Sequence, residues 1–143
     1  MPQQRSSTVR LRTSLYHEAV AIVSDEYPRD LALDEIARRV ASSRRQLQRA
    51  YAEIGHTTFR SHLTGVRMDA AAELLARGSL TVREVAQRVG YRQPAQFAKA
   101  FRRHLGVAPS DFRANGDVRA VSGQLTSEGR ALRPDNGYHA ATL

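Results

Sequence analysis

Residues 82–101, VREVAQRVGYRQPAQFAKAF, decide the fold, because residues 33–51, LDEIARRVASSRRQLQRAY, carry the same pattern earlier in the chain. The two stretches align once one extra residue is allowed in the second turn. The matched apolar positions are Ile36-Ala37 with Val85-Ala86, Val40 with Val89, Leu47 with Phe97, Ala50 with Ala100, and Tyr51 with Phe101. The chain therefore contains two copies of one unit, about fifty residues apart.

The second copy carries start and stop signals for two helices. Thr81 with Glu84 has the signature of a capping box, which starts a helix, and Gly90 suits the left-handed residue that ends one. Pro94 fits the first turn of the next helix, where its missing N–H costs nothing. These signals predict two short helices joined by a tight turn, which is a helix-turn-helix.

The first copy has matching signals. Ser43 with Gln46 is again a capping-box pair, so its second helix is expected to begin near Arg44. We therefore expect one helix-turn-helix at about 33–54 and a second at about 81–105.

Two longer helices complete the prediction. A first helix stops before Pro28 and has an apolar stripe of Leu15, Ala19, Ile22 and Val23. A linker helix at about 58–77 stops at Gly78, and its apolar spacing is given by Phe59, Leu63, Val66, Ala70 and Leu74. No alternating strand pattern competes. The predicted fold is all-α, with two helix-turn-helix subdomains joined by a long linker helix.

Both ends of the chain lack sustained periodicity. Residues 114–143 mix Gly, Ser, Asn, Asp and Pro, a composition that buries too little apolar area to order itself. We expect a flexible N-terminus over 1–10, a folded domain over 11–113 and a disordered tail over 114–143.

The composition argues against enzymatic and membrane functions. The chain has no cysteine, which removes thiolate nucleophiles and zinc–thiolate sites. Its five histidines are scattered without metal-ligand spacing, at His17, His56, His62, His104 and His139. No run of eighteen apolar residues or apolar signal core is present. We therefore expect no catalytic residues, no metal and no cofactor, in an intracellular protein.

The positive charge of the chain is concentrated in its middle. Residues 31–113 carry fifteen Arg or Lys against seven Asp or Glu, a net +8, whereas residues 1–30 and 114–143 each sum to zero. All but one of the twenty-two cations are arginine, whose guanidinium fork suits phosphates and base edges. A polyanionic partner therefore explains the charge better than a solubilising surface does.

In both copies, the second helix has an apolar edge on one side and a cationic edge on the other. At about 100° per residue, Phe101 and Leu105 fall within about 80° of Phe97, and the opposite side holds Gln96, Lys99 and Arg103. In the first copy Tyr51 and Ile54 cluster with Leu47, and the polar side holds Arg45, Gln48 and Arg49. A helix with one packed edge and one edge of Arg, Lys and Gln fits the DNA major groove, where Arg or Lys pairs with guanine and Gln with adenine.

The linker helix supports the same interpretation. About twenty helical residues span roughly 30 Å, close to the 34–36 Å repeat of one duplex turn. Such a helix could set the two reading helices into successive major grooves. A protein that coats DNA through charge alone is the alternative, and a test of sequence preference separates the two.

The motifs resemble the DNA-binding domain of the AraC/XylS family of bacterial transcription regulators. The most specific segments are VAQRVGY, FAKAFRRHLGVAPSDFR, LDEIARRV and VRMDAAAELL, and the resemblance extends from about Leu15 to Arg113. The resemblance implies a domain of about seven helices whose third and sixth helices read adjacent major grooves at promoters. It favours the small stand-alone members, which bind as monomers and act with RNA polymerase, and a DNA-binding fragment of a larger effector-regulated protein is the alternative.

By position, the resemblance assigns base contacts on the first reading helix to Arg45, Gln46, Gln48 and Arg49, and on the second to Gln93, Ala95, Gln96 and Lys99. Two departures from the family pattern stand out. Ala41 and Ser42 replace the usual glycine and aromatic residue at the first turn. Pro94 and Ala95 offer no polar base contact, so the second helix is expected to read fewer bases.

The full set of candidate DNA-binding residues adds flanking cations that can reach phosphates. The set is Arg44, Arg45, Gln46, Gln48, Arg49, Arg92, Gln93, Gln96, Lys99, Arg102 and Arg103. The expected partners are double-stranded promoter DNA and RNA polymerase, with activation more usual than repression among similar proteins. Because no sensor domain fits before residue 31, no small-molecule effector is expected.

Overall fold

The computed structural model describes the backbone of residues 2–113 and the side chains from residue 6 onward. Its helices are α1 Pro2–Glu26, α2 Leu33–Arg39, α3 Arg44–Glu53, α4 Phe59–Arg77, α5 Val82–Arg88 and α6 Pro94–Leu105. A seventh helical segment occupies residues 109–113, and no strand occurs in the described part of the chain. The predicted all-α fold is confirmed. The tail predicted over 114–143 lies outside the described residues.

The chain divides into two compact units within α4. The first unit runs to Leu63 and contains the α2–α3 pair, and the second begins at Thr64 and contains the α5–α6 pair. Each copy of the sequence repeat therefore belongs to its own unit.

In the first unit, α1 and α2 pack against the apolar edge of α3. Tyr16 of α1 meets Tyr51 of α3 edge to face, with 5.2 Å between ring centroids, and both side chains are buried. Leu47 of α3 is fully buried beside them, as the repeat predicts. Burial of these side chains fixes one edge of α3 and leaves its other edge outside.

The beginning of α1 differs from the sequence prediction. Residues 2–10, for which the composition predicts a flexible start, are helical because α1 begins at Pro2. Proline is well suited to the first position of a helix, and no glycine or further proline interrupts the chain before residue 28. Once the buried part of α1 is formed, extending the helix fixes one residue per added hydrogen bond, so little apolar burial is needed.

In the second unit, α5 and the apolar edge of α6 form the equivalent core. Val85, Val89, Phe97 and Phe101 are fully buried. Phe97 lies with its ring centroid 5.7 Å from that of Phe101, and Phe101 lies 5.4 Å from Phe112. The two phenylalanines that the sequence places four residues apart therefore anchor α6.

The buried face of α4 differs from the predicted stripe. Of the five predicted residues only Leu63 is buried, and Phe59, Val66, Ala70 and Leu74 are half-buried. The apolar side chains buried in its second-unit part are instead Met68, Ala71, Ala72 and Leu75. Apolar residues surround most of the circumference of α4, so their spacing alone does not define one phase.

The turn of the second unit has the predicted geometry. The Thr81 Oγ1 accepts from the Glu84 N–H at 3.1 Å, and the Glu84 Oε1 accepts from the Thr81 N–H at 2.9 Å, which completes the capping box. Gly90 after α5 has φ 104°, a left-handed conformation that favours glycine. Pro94 begins α6, as predicted.

The turn of the first unit is built with less favourable residues. Ser43 caps α3 by accepting from the Gln46 N–H at 3.1 Å. The Gln46 side chain accepts from the Ser42 hydroxyl at 3.0 Å, so the predicted return bond to Ser43 is replaced and only half of the capping box forms. Ala41 adopts φ 55°, a left-handed conformation that costs a residue with a Cβ about 1 kcal/mol or more.

Candidate nucleic-acid interface

The outer face of α3 is polar and cationic along its length. Its exposed candidate residues are Arg44, Arg45, Gln46, Gln48 and Arg49, and Leu47, Ala50 and Tyr51 on the other edge are buried. Because the buried edge fixes the rotation of the helix, the guanidinium and amide groups point away from the core. These five exposed residues form the α3 face.

The outer face of α6 and the turn before it have the same character. Six candidate residues are exposed there, and they are Arg92, Gln93, Gln96, Lys99, Arg102 and Arg103. Gln93 is the residue before α6 and has an extended backbone, with φ −113° and ψ 119°. Pro94 and Ala95 are also exposed, so the first turn of α6 presents less hydrogen-bonding capacity than that of α3. The six exposed candidates form the α6 face.

Few acidic side chains of the described residues lie close to the cations of the two faces. Among the described residues, the salt bridges of the two faces comprise one contact, between Arg44 Nη1 and Asp34 Oδ2 at 3.6 Å. Arg45, Arg49 and Lys99 have no carboxylate at salt-bridge distance in the described part of the chain. The two faces are therefore suited to an external polyanion.

A neighbouring arginine has a structural role instead. Arg39 at the end of α2 donates to both carboxylate oxygens of Glu26 at the end of α1, at 2.8 and 2.5 Å. Hydrogen bonding from Arg39 lowers the pKa of Glu26 to about 2. The contact with Glu26 joins α2 to α1, and Arg39 also lies 3.7 Å from Glu35 on its own helix.

The second turn is braced by an aromatic side chain that the first turn lacks. The ring of Tyr91 contacts Phe97 edge to face at 5.7 Å, and the Arg67 guanidinium of α4 lies 5.8 Å from the Tyr91 ring centroid. In the first turn, the corresponding region holds Ser42, which has no ring. Its hydroxyl donates to the Gln46 Oε1 and lies 3.4 Å from the Ser43 carbonyl oxygen. Both turns have equivalent backbone hydrogen bonds, and the second has aromatic packing in addition.

Sequence reasoning missed two features of this region. The Asp34 carboxylate beside Arg44 was not anticipated, because residues ten apart on different helices show no pattern in the sequence. The exposed Arg83 and Arg88 on α5 were also left out of the candidate set, although the repeat places Arg83 opposite Asp34 in the alignment. That alignment draws attention to the charge of Arg83 but does not reveal the contact between Asp34 and Arg44.

His62 belongs to the core of the first unit. Its Nδ1 lies 2.8 Å from the Tyr51 hydroxyl, and burial lowers the pKa of His62 to about 4. Burial also raises the pKa of Tyr51 above its ordinary value.

No group of three or more His, Asp or Glu that could hold a metal occurs in residues 2–113. A search of the same residues for a helix long and apolar enough to cross a bilayer finds none.

Comparison with known proteins places residues 36–115 in a family described as a helix-turn-helix domain. An uncharacterized HTH-type transcriptional regulator of Mycobacterium tuberculosis is 33% identical over 114 residues, covering 80% of this chain and 30% of the relative. The lactose operon transcription activator of Staphylococcus xylosus is 26% identical over 95 residues, covering 66% of this chain and 34% of the relative.

A solved structure similar to this chain contains nucleic acid. The DNA-binding domain of the global transcriptional factor AdpA, in complex with a target DNA, matches with a TM-score of 0.68 and 30% identity. The match covers 76% of this chain and 96% of that domain. The chain spans about a third of the length of the curated relatives that it matches.

Proposed function

The chain belongs to the AraC/XylS family of helix-turn-helix transcriptional regulators, and on that basis we propose that it binds promoter DNA in a sequence-specific manner through the α3 and α6 faces. The known relatives are regulators of transcription and not enzymes. The proposed binding residues are the eleven side chains that make up the two faces.

One observation carries the proposal. Two helices at matched positions of a sequence repeat each bury an apolar edge and expose a polar edge rich in arginine or lysine. A single solvated helix face has many explanations, but the same division in two capped copies favours a shared function. A reading helix of a helix-turn-helix presents such an edge to bases in the major groove.

We further propose that the two faces read successive major grooves of one duplex. Each unit contains one complete helix-turn-helix, so one chain supplies two reading helices. Two helices in one chain remove the need for a symmetric dimer, so the protein acts as a monomer on an asymmetric site. The specific residues have different roles, with Arg45, Arg49 and Lys99 reading bases and Arg102 and Arg103 contacting phosphates.

The proposed effect on transcription is activation in concert with RNA polymerase, without a small-molecule effector, in the bacterial cytoplasm. The support for activation is the similarity to the lactose operon transcription activator. A reporter promoter with its bound site moved by half a duplex turn tests this proposal. Activation that survives the half-turn shift would contradict contact with polymerase on a fixed side of the duplex.

Competition between a selected duplex and random duplex tests the DNA-binding proposal directly. We expect the selected duplex to win at every salt concentration, because base contacts add about 1–3 kcal/mol for each good bidentate pair. Phosphate contacts alone give binding that is steep in salt and equal for all sequences. Equal affinity for both duplexes across the salt series would instead support an architectural DNA-coating protein.

A further inference from the structure

The two helix-turn-helix units carry opposite charges at equivalent positions. Asp34 is the second residue of α2 and Arg83 is the second residue of α5, and both helices are seven residues long. The helices are equivalent in packing as well, because Ile36 and Val85, two residues further on, are both fully buried. Asp34 and Arg83 are both exposed.

The Asp34 carboxylate lies at the beginning of the reading helix of its unit. Arg44 is the first residue of α3, and its Nη1 lies 3.6 Å from Asp34 Oδ2. In a helix-turn-helix the N-terminal residues of the second helix approach the bases. A carboxylate that close to Arg44 therefore lies beside the duplex whenever α3 enters the groove.

The fold does not depend on this ion pair. The side chains of Arg44 and Asp34 are 60% and 57% exposed, and the distance of 3.6 Å exceeds that of a good hydrogen bond. Exposed ion pairs of this kind contribute little to stability, because water and salt screen them. The main physical effect of the pair is on an approaching polyanion, since it neutralises one cation at the DNA-facing end of α3.

The remaining cations follow the same asymmetry. In the α2–α3 pair, Arg39 and Arg44 have carboxylate partners, and the cations without one among the described residues are Arg38, Arg45 and Arg49. In the α5–α6 pair the corresponding cations of the described chain are Arg83, Arg92, Lys99, Arg102 and Arg103, whereas the charge of Arg88 helps to lower the pKa of Glu84 on the same helix. The α5–α6 pair therefore has five such cations and the α2–α3 pair has three.

We propose that Asp34 weakens phosphate binding by the first unit and that Arg83 strengthens it in the second, so that the two units divide affinity and selectivity between them. The second unit supplies most of the salt-dependent affinity, and the first depends on base contacts. Asp34 acts through Arg44 and is a positioning residue, whereas Arg83 contacts phosphate directly. The inference rests on the proposed DNA-binding function.

Substitutions at the two equivalent positions test this division. In Asp34→Asn the released Arg44 can reach a phosphate, so affinity for random duplex is expected to rise by about three- to tenfold, with a salt slope steeper by about one. In Arg83→Gln both quantities are expected to change by similar amounts in the opposite direction. Fluorescence anisotropy over a salt series measures affinity and slope together.

Three further variants separate the proposed effect from changes in charge or folding. Glu18→Gln removes an exposed acid of α1 and is expected to change the affinity less than twofold. Asp34→Glu keeps the carboxylate and should behave as the unsubstituted protein. Should Asp34→Asn fold poorly by circular dichroism, Asp34→Ser removes the same charge and retains a side chain suited to a first helical turn.

The outcomes distinguish the inference from the proposed function. If the unsubstituted protein prefers a selected site and Asp34→Asn changes neither affinity nor slope relative to Glu18→Gln, the inference fails and the proposed function stands. If the unsubstituted protein treats all duplexes alike and the two substitutions still shift affinity in opposite directions, the division of charge holds and sequence-specific function fails. Absence of binding to any duplex overturns both.

Discussion

The proposed sequence preference depends on individual side chains of the α3 and α6 faces. Arg49 and Lys99 are both exposed, lie on the middle turns of their helices, and have no salt-bridge partner in the described part of the chain. Arg103 is exposed near the end of α6, where the helix moves away from the base edges in a groove-bound arrangement. All three side chains are exposed, so their positions along the helices are what distinguishes their proposed roles.

These positions predict different effects of substitution. Arg49→Ala or Lys99→Ala is expected to cost about 1–3 kcal/mol of binding free energy and to relax preference at a few base pairs. Arg103→Ala should weaken binding to all sequences alike, because phosphate contacts carry no sequence information. Affinities for a set of single-substituted duplexes measure both effects. Three variants with the same pattern across that set would contradict the assigned roles.

Ala41 is a strained residue at the turn between α2 and α3. Its φ of 55° lies where a Cβ is disfavoured, and Gly90 with φ 104° occupies the matching place in the second unit. Ala41→Gly is expected to stabilise the protein by about 0.5–1 kcal/mol, because relief of strain exceeds the added flexibility of the unfolded chain. Urea denaturation measures the change.

A matched substitution checks this reasoning. Ala52 is exposed within α3, where Ala52→Gly should destabilise the protein by about 1 kcal/mol. Opposite signs at Ala41 and Ala52 are required. Destabilisation at both positions would show that the turn does not hold Ala41 in a left-handed conformation.

At the residue level, exposure was predictable and pairing was not. The period of α3 and α6 correctly places Leu47 and Phe97 inside and the cationic residues outside. The contact of Asp34 with Arg44 depends on the angle between α2 and α3, which apolar periodicity does not specify. The burial of His62 is likewise invisible, because a histidine has no preferred face in such a pattern.

Among the helical elements, the two short first helices differ in how they begin. α5 has a complete capping box, in which Thr81 and Glu84 satisfy each other's backbone N–H groups. Ala32, the residue before α2, offers no side-chain cap, and the helix has the acidic residues Asp34 and Glu35 in its first turn, where negative charge is favourable. A seven-residue helix has few internal hydrogen bonds, so its cap contributes a large share of its stability.

Removal of the cap tests its contribution. Thr81→Ala is expected to lower the free energy of unfolding by about 1–2 kcal/mol, because the Glu84 N–H loses its acceptor. Thr81→Ser keeps the hydroxyl and should retain most of the stability. Thermal and urea denaturation give the values. Equal losses for Ala and Ser would indicate that the methyl group, and not the cap, matters at this position.

His62 joins the first turn of α4 to α3 through its contact with Tyr51. Burial lowers the pKa of His62 to about 4, whereas the ordinary pKa of a histidine in an unfolded chain is about 6.5. At pH values between the two, His62 is neutral in the folded protein and protonated in the unfolded chain. The stability from this site is complete above about pH 6.5. It is lost as the pH falls from there toward 4, because the unfolded chain binds the extra proton.

The pH dependence gives a specific expectation. Between pH 7.5 and 5.5 the protein should lose about 1 kcal/mol more stability than the His62→Gln variant, which has no group to titrate at this position. Urea denaturation at a series of pH values measures the difference. Parallel stability curves for the two proteins would contradict a neutral, buried His62.

The helical elements were predictable to different degrees. The caps Ser43 and Thr81, together with Pro94, correctly indicate where α3, α5 and α6 begin. The buried face of α4 was assigned wrongly, because a helix that contributes to two cores has apolar residues on several sides. The start of α1 was also missed, since a polar helix needs no apolar periodicity once a buried segment supports it.

For the whole molecule, the repeat gives one chain two related helix-turn-helix units that differ in detail. The second unit has a complete cap, a glycine at its turn and an aromatic brace, and the first has an alanine turn and half a capping box. The charge difference between Asp34 and Arg83 follows the same division. Two copies of one sequence pattern thus differ in how their turns are built and in the charge at this position.

Selection of bound duplexes from a randomised library, with the unsubstituted protein, Arg49→Ala and Lys99→Ala, tests the central claim most directly. We predict two clusters of preferred bases about 10 base pairs apart, with Arg49→Ala flattening one cluster and Lys99→Ala flattening the other. Absence of enrichment, or a single cluster flattened by both substitutions, would contradict two reading helices that act on successive grooves.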